Sequence, residues 1–345
     1  MRILALLLSF SFLAVSASAL EIEAPRVPES GQKWMPKETS SFADGFCELL
    51  RKAVSNLRPD LQEASRVSLG ILAAVLMISV LHSFSSSVKR ASEAAGTVTI
   101  ATLLLLSTNS MVCLASDTVL EIGAYGKLLL PVMTAALAAQ GGISGSAALY
   151  AGTSLFLSLL QAVLGNLLVP GIFLYIILCI GNSATGEEFL KKMGDILKSF
   201  LSWCLKILLM VFTTYLSLTG VVSGTTDAAA LKAAKVSMSS FVPVVGGVLS
   251  DASEAVLVSA GLLKNTAGIY GILAVLALFL HPFLQIGIHY LILKITCAVC
   301  TVFGNSRVTG IINSFSTAMG LLLGMTASAC VMVLISTVCF MKGVV

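Results

Sequence analysis

Long stretches of this chain carry almost no charge. The runs 94–116, 200–224 and 318–340 contain a single charged residue, Lys206. From residue 67 onward there are only 13 Lys or Arg and 9 Asp or Glu, and the mean hydropathy of the chain is +0.98. A water-soluble globule cannot cover so much apolar surface. The composition therefore predicts an all-α, polytopic helical membrane protein.

The first nineteen residues are typical of a cleavable signal peptide. Arg2 precedes an apolar stretch at 3–15, and Ala17-Ser18-Ala19 is a small-x-small cleavage site. The alternative is a first membrane helix, but the apolar stretch is shorter than the roughly 20 residues that span a bilayer. We expect cleavage after Ala19, with the mature N-terminus outside the cytoplasm.

Residues 20–66 differ in composition, with 15 charged residues and four prolines. This predicts a small extracytoplasmic segment. Its second half, 41–65, has apolar residues at helical spacing. The resulting stripe should lie on the membrane surface or on a partner, and it comprises Phe42, Phe46, Leu49, Leu50, Val54 and Leu57.

The membrane domain, 67–345, should contain about seven to ten membrane segments. The stretch 128–139 is apolar but short, and is expected to form a half-helix or the end of a helix begun near residue 120. The candidate spans are 67–84, 94–116, 146–165, 167–181, 200–224, 241–263, 267–286, 287–303 and 318–341.

Two basic loops indicate the orientation of the chain. Lys89 and Arg90 follow the first span, and Lys191, Lys192 and Lys198 precede residue 200. Cytoplasmic loops of membrane proteins are enriched in Lys and Arg. Both loops are therefore predicted to be cytoplasmic.

Four prolines suggest an internal repeat with broken or re-entrant helices. Pro131 and Pro170 are 39 residues apart, as are Pro243 and Pro282, and the two pairs are offset by 112 residues. The repeat units would cover about 94–182 and 200–303, and interrupted helices in repeats often mark a transport site. Membrane helices are generally rich in Gly, Ala and Pro, so the likeness can also arise without duplication.

The least ordinary chemistry lies in the segment 241–263. Asp251 and Glu254 are three residues apart and share a helical face. Such carboxylates can line a pore or bind a coupling ion. Alternatively, Pro243, Gly246 and Gly247 break the helix and leave the carboxylates in a structural loop. Candidate cationic partners are Lys264, Lys206, Lys294, His281 and His289.

The preceding stretch, 225–240, is predicted to form a short surface helix. Lys232 and Lys235 lie one turn apart, opposite an apolar face. This helix would contact lipid headgroups or a partner subunit, or would simply connect its neighbours.

Residues 225–271 resemble the stage III sporulation protein AE family of endospore-forming Firmicutes. The resemblance is carried by Ala233-Ala234-Lys235, by the run 241–246 (FVPVVG), by Ser250-Asp251-Ala252 and by Leu263-Lys264-Asn265. A looser likeness extends from about residue 67 to the C-terminus. Pro243, Gly246, Asp251 and Lys264 match the family signature, which assigns them no catalytic role.

The resemblance implies a subunit of the assembly that joins the mother cell to the engulfed forespore. Members lie in the mother-cell membrane surrounding the forespore. Their expected partners are the other proteins of the same operon, including an ATPase and ring-forming proteins, and a forespore membrane protein. A channel or permease core is the expected role; an independent ion-coupled secondary transporter and a passive scaffold are the alternatives.

Other chemistry is absent from the sequence. The chain has no Gly-Lys-Ser/Thr phosphate loop, Gly-x-Ser-x-Gly elbow or His-Glu-x-x-His motif. Its three histidines are dispersed, and its net charge of +4 is too small for a nucleic-acid partner. We therefore expect no enzymatic activity, cofactor or metal.

Overall fold

The structure is a computed structural model, and it describes residues 25–36, 42–84, 89–139, 143–218, 266–302 and 306–342. These residues are almost entirely helical, as the sequence predicts. The elements are α1 (Glu29–Gln32), α2 (Phe42–Ser55), α3 (Leu57–Phe84), α4 (Lys89–Ala139), α5 (Ile143–Val163), a π-helical turn (Leu164–Leu168), α6 (Val169–Thr185), α7 (Glu188–Leu218), α8 (Thr266–Thr301) and α9 (Ser306–Lys342).

Helix α9 forms the centre of the described bundle. In its most apolar stretch 94% of the residues are buried, against 28–56% in the other long helices. It packs against α4, α5, α6, α7 and α8. No charged residue lies between Arg307 and Lys342, so the whole length of the helix can be enclosed without burying a charge.

Several hydroxyl groups inside α9 are satisfied within the helix itself, although the buried Oγ of Ser316 has no hydrogen-bond partner. Thr326 donates to the carbonyls of Leu322 and Leu323, and Ser328 donates to that of Gly324. A Ser or Thr that bonds one turn back needs no partner from another helix. Buried polar residues therefore do not interrupt the packing around α9.

The bundle contains three helical hairpins, one of which includes α9 itself. Helices α8 and α9 are antiparallel, since Gly268 packs against Met341 and the Cys297 thiol lies 3.6 Å from the Thr309 carbonyl oxygen. The other two are the α3–α4 pair, with close contacts such as Gly96 to Ile78, and the α6–α7 pair. The α6–α7 turn uses Gly186 at φ 79°, a conformation that glycine adopts without steric cost.

The connections of the three hairpins share one end of the bundle. Helix α3 runs parallel to α8, because Asp60 lies beside His281 and Ser68 hydrogen-bonds Thr296 further along. Gly186 lies near Arg307, the second residue of α9. We call this end the basic end, since its helix termini also contain Lys89, Arg90, Lys191 and Lys192.

Several predicted spans merge into longer helices. Spans 146–165 and 167–181 form one rod through the π-helical turn, and 267–286 and 287–303 become α8. The stretch 128–139 is the end of α4, which begins at Lys89 rather than near residue 120. Six described helices are long and apolar enough to cross a membrane, whereas 241–263 lies outside the described residues. A local dip in hydropathy therefore does not mark a break in the backbone of these helices.

Two of the predicted helix breaks are also wrong. Pro131 and Pro282 lie inside continuous helices, although each removes one backbone donor. Neighbouring helices and small local adjustments make such prolines tolerable in membrane helices. Pro170 does mark an irregularity, since it follows the π-helical turn at the start of α6. Pro243, Gly246 and Gly247 lie outside the described residues, and the internal repeat stays a prediction.

The amphipathic stripe of 41–65 was expected on lipid or a partner, and its buried members pack against this chain's own α8. Phe42, Leu49 and Ala53 are buried, whereas Val54 is exposed. A strongly amphipathic helix buries its apolar face on the nearest complementary surface. Here that surface is α8, which also receives α1 through the close contact of Gly31 with Leu278.

Candidate functional site

A buried carboxyl group lies where α3 meets α8. Asp60, in the first turn of α3, is 7% exposed, and its Oδ2 is 4.0 Å from Nε2 of His281. That distance is too long for a hydrogen bond. His289, eight residues further along α8, is 3% exposed and is close enough to Asp60 for an electrostatic interaction. We call Asp60, His281 and His289 the acid–histidine cluster.

The N-terminal segment covers this cluster. The Trp34 ring lies against the His281 ring with their centroids 4.4 Å apart. The backbone beside it is fixed by Lys52 of α2, which donates to the Met35 carbonyl at 3.0 Å and pairs with Glu48 at 2.7 Å. Two separate elements therefore hold an aromatic ring over the most exposed member of the cluster.

Two further polar contacts involve charged residues of α4. Glu121 accepts a hydrogen bond from Ser30 of α1, and Lys127 donates to Gln161 of α5. Both charges are thus solvated by uncharged side chains. Hydrogen bonds of this kind lower the free-energy cost of placing an ionisable group in an apolar helix.

The residues predicted as a path are not assembled by the described structure. Asp251, Glu254, Lys264, Lys232 and Lys235 all lie outside the described residues. Lys206 is exposed on α7, so it points away from the bundle centre. Lys294 instead hydrogen-bonds Asn313 of α9 at 2.9 Å.

Sequence reasoning missed Asp60 and Trp34. Both fall in the segment that its charge and prolines assigned to the exterior, and nothing in that local pattern marks a contact with residues more than 200 positions away. The histidines were considered only as partners of Asp251 and Glu254. Among the described residues, no group of three or more His, Cys, Asp or Glu is arranged to hold a metal ion.

The fold and the six apolar helices define the class: a multi-pass, all-α membrane protein. Residues 37–343 match the family model described as stage III sporulation protein AE. The chain therefore belongs to the stage III sporulation protein AE family and has a role in sporulation.

One curated relative is the stage III sporulation protein AE of Bacillus subtilis (strain 168), which is 27% identical over 264 residues. The alignment covers 76% of this chain and 59% of that relative, so the chain spans about three fifths of the relative's length. No solved structure is significantly similar to the chain.

Proposed function

We propose that this chain is the integral-membrane subunit of the multiprotein complex that links mother cell and forespore during sporulation. Family membership over 37–343 supports the sporulation role, and six long apolar helices support the place in the membrane. Its proposed partners are the operon's other proteins, including the ATPase and ring-forming proteins, and a forespore membrane protein.

The buried position of α9 is the observation that shapes this proposal. A helix enclosed along its length occupies the centre of the described bundle, so a pore cannot follow that centre. We infer that any channel formed by this subunit runs between protomers, along a partner, or through residues 219–265. The last route would use Asp251 and Glu254, as the sequence suggests. A secondary transporter or a scaffold remains the alternative class.

We expect the double variant Asp251→Asn/Glu254→Gln to abolish late forespore gene expression in a spore-former that lacks its own copy. Carboxylates lining a polar path favour cation passage, and amides do not replace their charge. The measurement is a forespore reporter, read together with membrane abundance and partner pull-down.

The matched control is Glu188→Gln/Asp195→Asn, which neutralises two exposed carboxylates on α7 and should leave the reporter unchanged. Normal reporter expression in the Asp251/Glu254 variant would contradict the path and favour the scaffold. Ion-dependent uptake by the protein reconstituted alone would instead favour the transporter.

We propose that the basic end faces the mother-cell cytoplasm, by the positive-inside rule. Helix α9 begins at that end and runs away from it, so residue 342 should lie on the opposite, extracytoplasmic side. A green fluorescent protein should therefore fluoresce when inserted after Gly186 and stay dark when fused after residue 345. The reverse pattern would invert the orientation, and fluorescence from both would contradict the crossing of α9.

A further inference from the structure

Two oppositely charged side chains lie on the outer surface of the described bundle. Lys206 is exposed on α7, and Asp117 is exposed on α4. Both belong to helices that are long and apolar enough to cross a membrane. Within the part of the chain that the structure describes, neither charged group has a hydrogen-bond or ion-pair partner. Ionisable side chains inside membrane helices usually pair with one another, because an unpaired charge there is costly.

Lys206 interrupts an otherwise apolar outer surface of α7. It is the only charged residue in the stretch 199–218. Trp203 and Met210 lie about one turn to either side of it, and both are more than half exposed. A lysine near a helix end can extend to the lipid headgroups, but Lys206 is seven residues, roughly 10 Å, inside this stretch. An acidic partner would compensate its charge directly.

The exposed face of α4 around Asp117 mixes apolar and polar side chains. Leu106 and Leu120 lie to either side of Asp117 along the helix, and both are exposed. Asn109 and Ser110 are exposed between Leu106 and Asp117. Asn and Ser side chains are used to join helices inside membranes. This face therefore suits contact with another protein helix better than contact with lipid.

The two charges lie at the same height along the bundle. Lys206 is 18 residues beyond the start of α7 at the basic end, which corresponds to roughly 27 Å. The height of Asp117 follows from Gly126 of α4, which contacts Val333 of α9. Val333 is 26 residues, roughly 39 Å, beyond Arg307, and Asp117 lies nine residues, roughly 13 Å, back toward the basic end. Whatever depth the bilayer takes along the bundle, both charges share it.

Within one protomer the two charged helices are separated. Helices α4 and α7 both pack on α9, but they do not form a packed pair with each other in the described structure. Both run away from the basic end, so a second copy with the same orientation in the membrane presents the same charges at the same height. Lys206 of one copy can then meet Asp117 of a neighbouring copy. A contact without a rise along the membrane normal favours closure into a ring over an open filament.

We propose that this chain assembles head-to-tail with further copies of itself, with Lys206 of one copy paired to Asp117 of the next. The ion pair lies in an apolar frame formed by Trp203 and Met210 on one side and Leu120 on the other. One contact therefore removes two unpaired charges from the outer surface of the bundle. The assembly does not rest on the sporulation role proposed above, and it is tested without any other sporulation protein.

Charge reversal at each position tests the contact. Lys206→Glu and Asp117→Lys are made in full-length chains that carry different affinity tags. Either variant alone brings like charges together at every contact, so its self-association should fall at least about tenfold. Co-expressed, the two variants restore an opposite pair at every contact and should associate with each other. The measurements are recovery of one tag with the other in lipid nanodiscs, and copy number by native mass spectrometry.

The matched control is Lys191→Glu, which reverses an exposed lysine of the same helix closer to the basic end and should leave self-association unchanged. Membrane abundance and thermal unfolding check that each variant is folded. Self-association that neither reversal weakens, or folded variants that do not associate with each other, would overturn the proposal. A monomeric wild type would also overturn it, even if the variants do not fold, and would leave Lys206 to lipid headgroups or to residues 219–265.

Discussion

Ala327→Asp should eliminate the folded protein and with it the formation of spores. Ala327 is fully buried in α9, a helix with no charged residue between Arg307 and Lys342. An unpaired buried charge costs roughly 3–5 kcal/mol. Since a domain's whole stability is about 5–15 kcal/mol, the loss should be visible as degradation in the membrane fraction. The measurements are membrane abundance and spore counts after complementation.

The control at the same position is Ala327→Ser. Its hydroxyl can donate to the carbonyl of Leu323, as Thr326 does at 3.1 Å, so the added oxygen is satisfied inside the helix. We expect near-normal abundance and spore counts. Normal accumulation of Ala327→Asp would show that α9 is not enclosed and would reopen a passage along the protomer axis.

Gly126→Leu should separate α4 from α9. A Cβ atom at Gly126 would already meet both methyl groups of Val333, at 3.0 and 3.2 Å, and Leu157 of α5 at 3.3 Å. A branched four-carbon side chain cannot fit between them without moving a helix. Overpacking of this kind costs about 1–3 kcal/mol or more. We expect a lower unfolding temperature for the purified protein in detergent.

The comparison variant for this prediction is Gly310→Leu. Gly310 lies in α9, and nothing is within 4 Å of a Cβ atom built there. Its unfolding temperature should therefore equal or exceed that of the wild type, because leucine is the better helix former. Val333→Ala should partly rescue Gly126→Leu in a double-mutant cycle. Equal effects of the two glycine variants would contradict the close contact of α4 and α9.

Agreement between sequence and structure was best where a single physical rule applies. The absence of charge over runs such as 94–116 and 318–340 predicted apolar helices. A long apolar segment in a lipid bilayer must make its backbone hydrogen bonds internally, and a helix does so. The basic residues at 89–90 and 191–192 were expected on one side, and the structure brings both to the basic end. The resemblance carried by residues 225–271 was confirmed by the family match over 37–343.

Helix boundaries were less predictable. Pro131 and Pro282 suggested breaks, but packing against neighbouring helices keeps α4 and α8 continuous. Local hydropathy averages over a window and does not register such tertiary support. For the same reason, the sequence predicted two spans where α8 is one helix, and two spans where α5 and α6 form one rod.

The acid–histidine cluster shows where sequence reasoning ends. By itself, the sequence determined the apolar membrane environment, the helical class and the family of this protein, since these depend on composition, periodicity and local motifs. Only the tertiary structure decided that α9 is the centre, that α2 packs on α8 and that Asp60 lies beside His281. Those facts depend on contacts between residues far apart in the chain, and each side chain taken alone is compatible with several other neighbours.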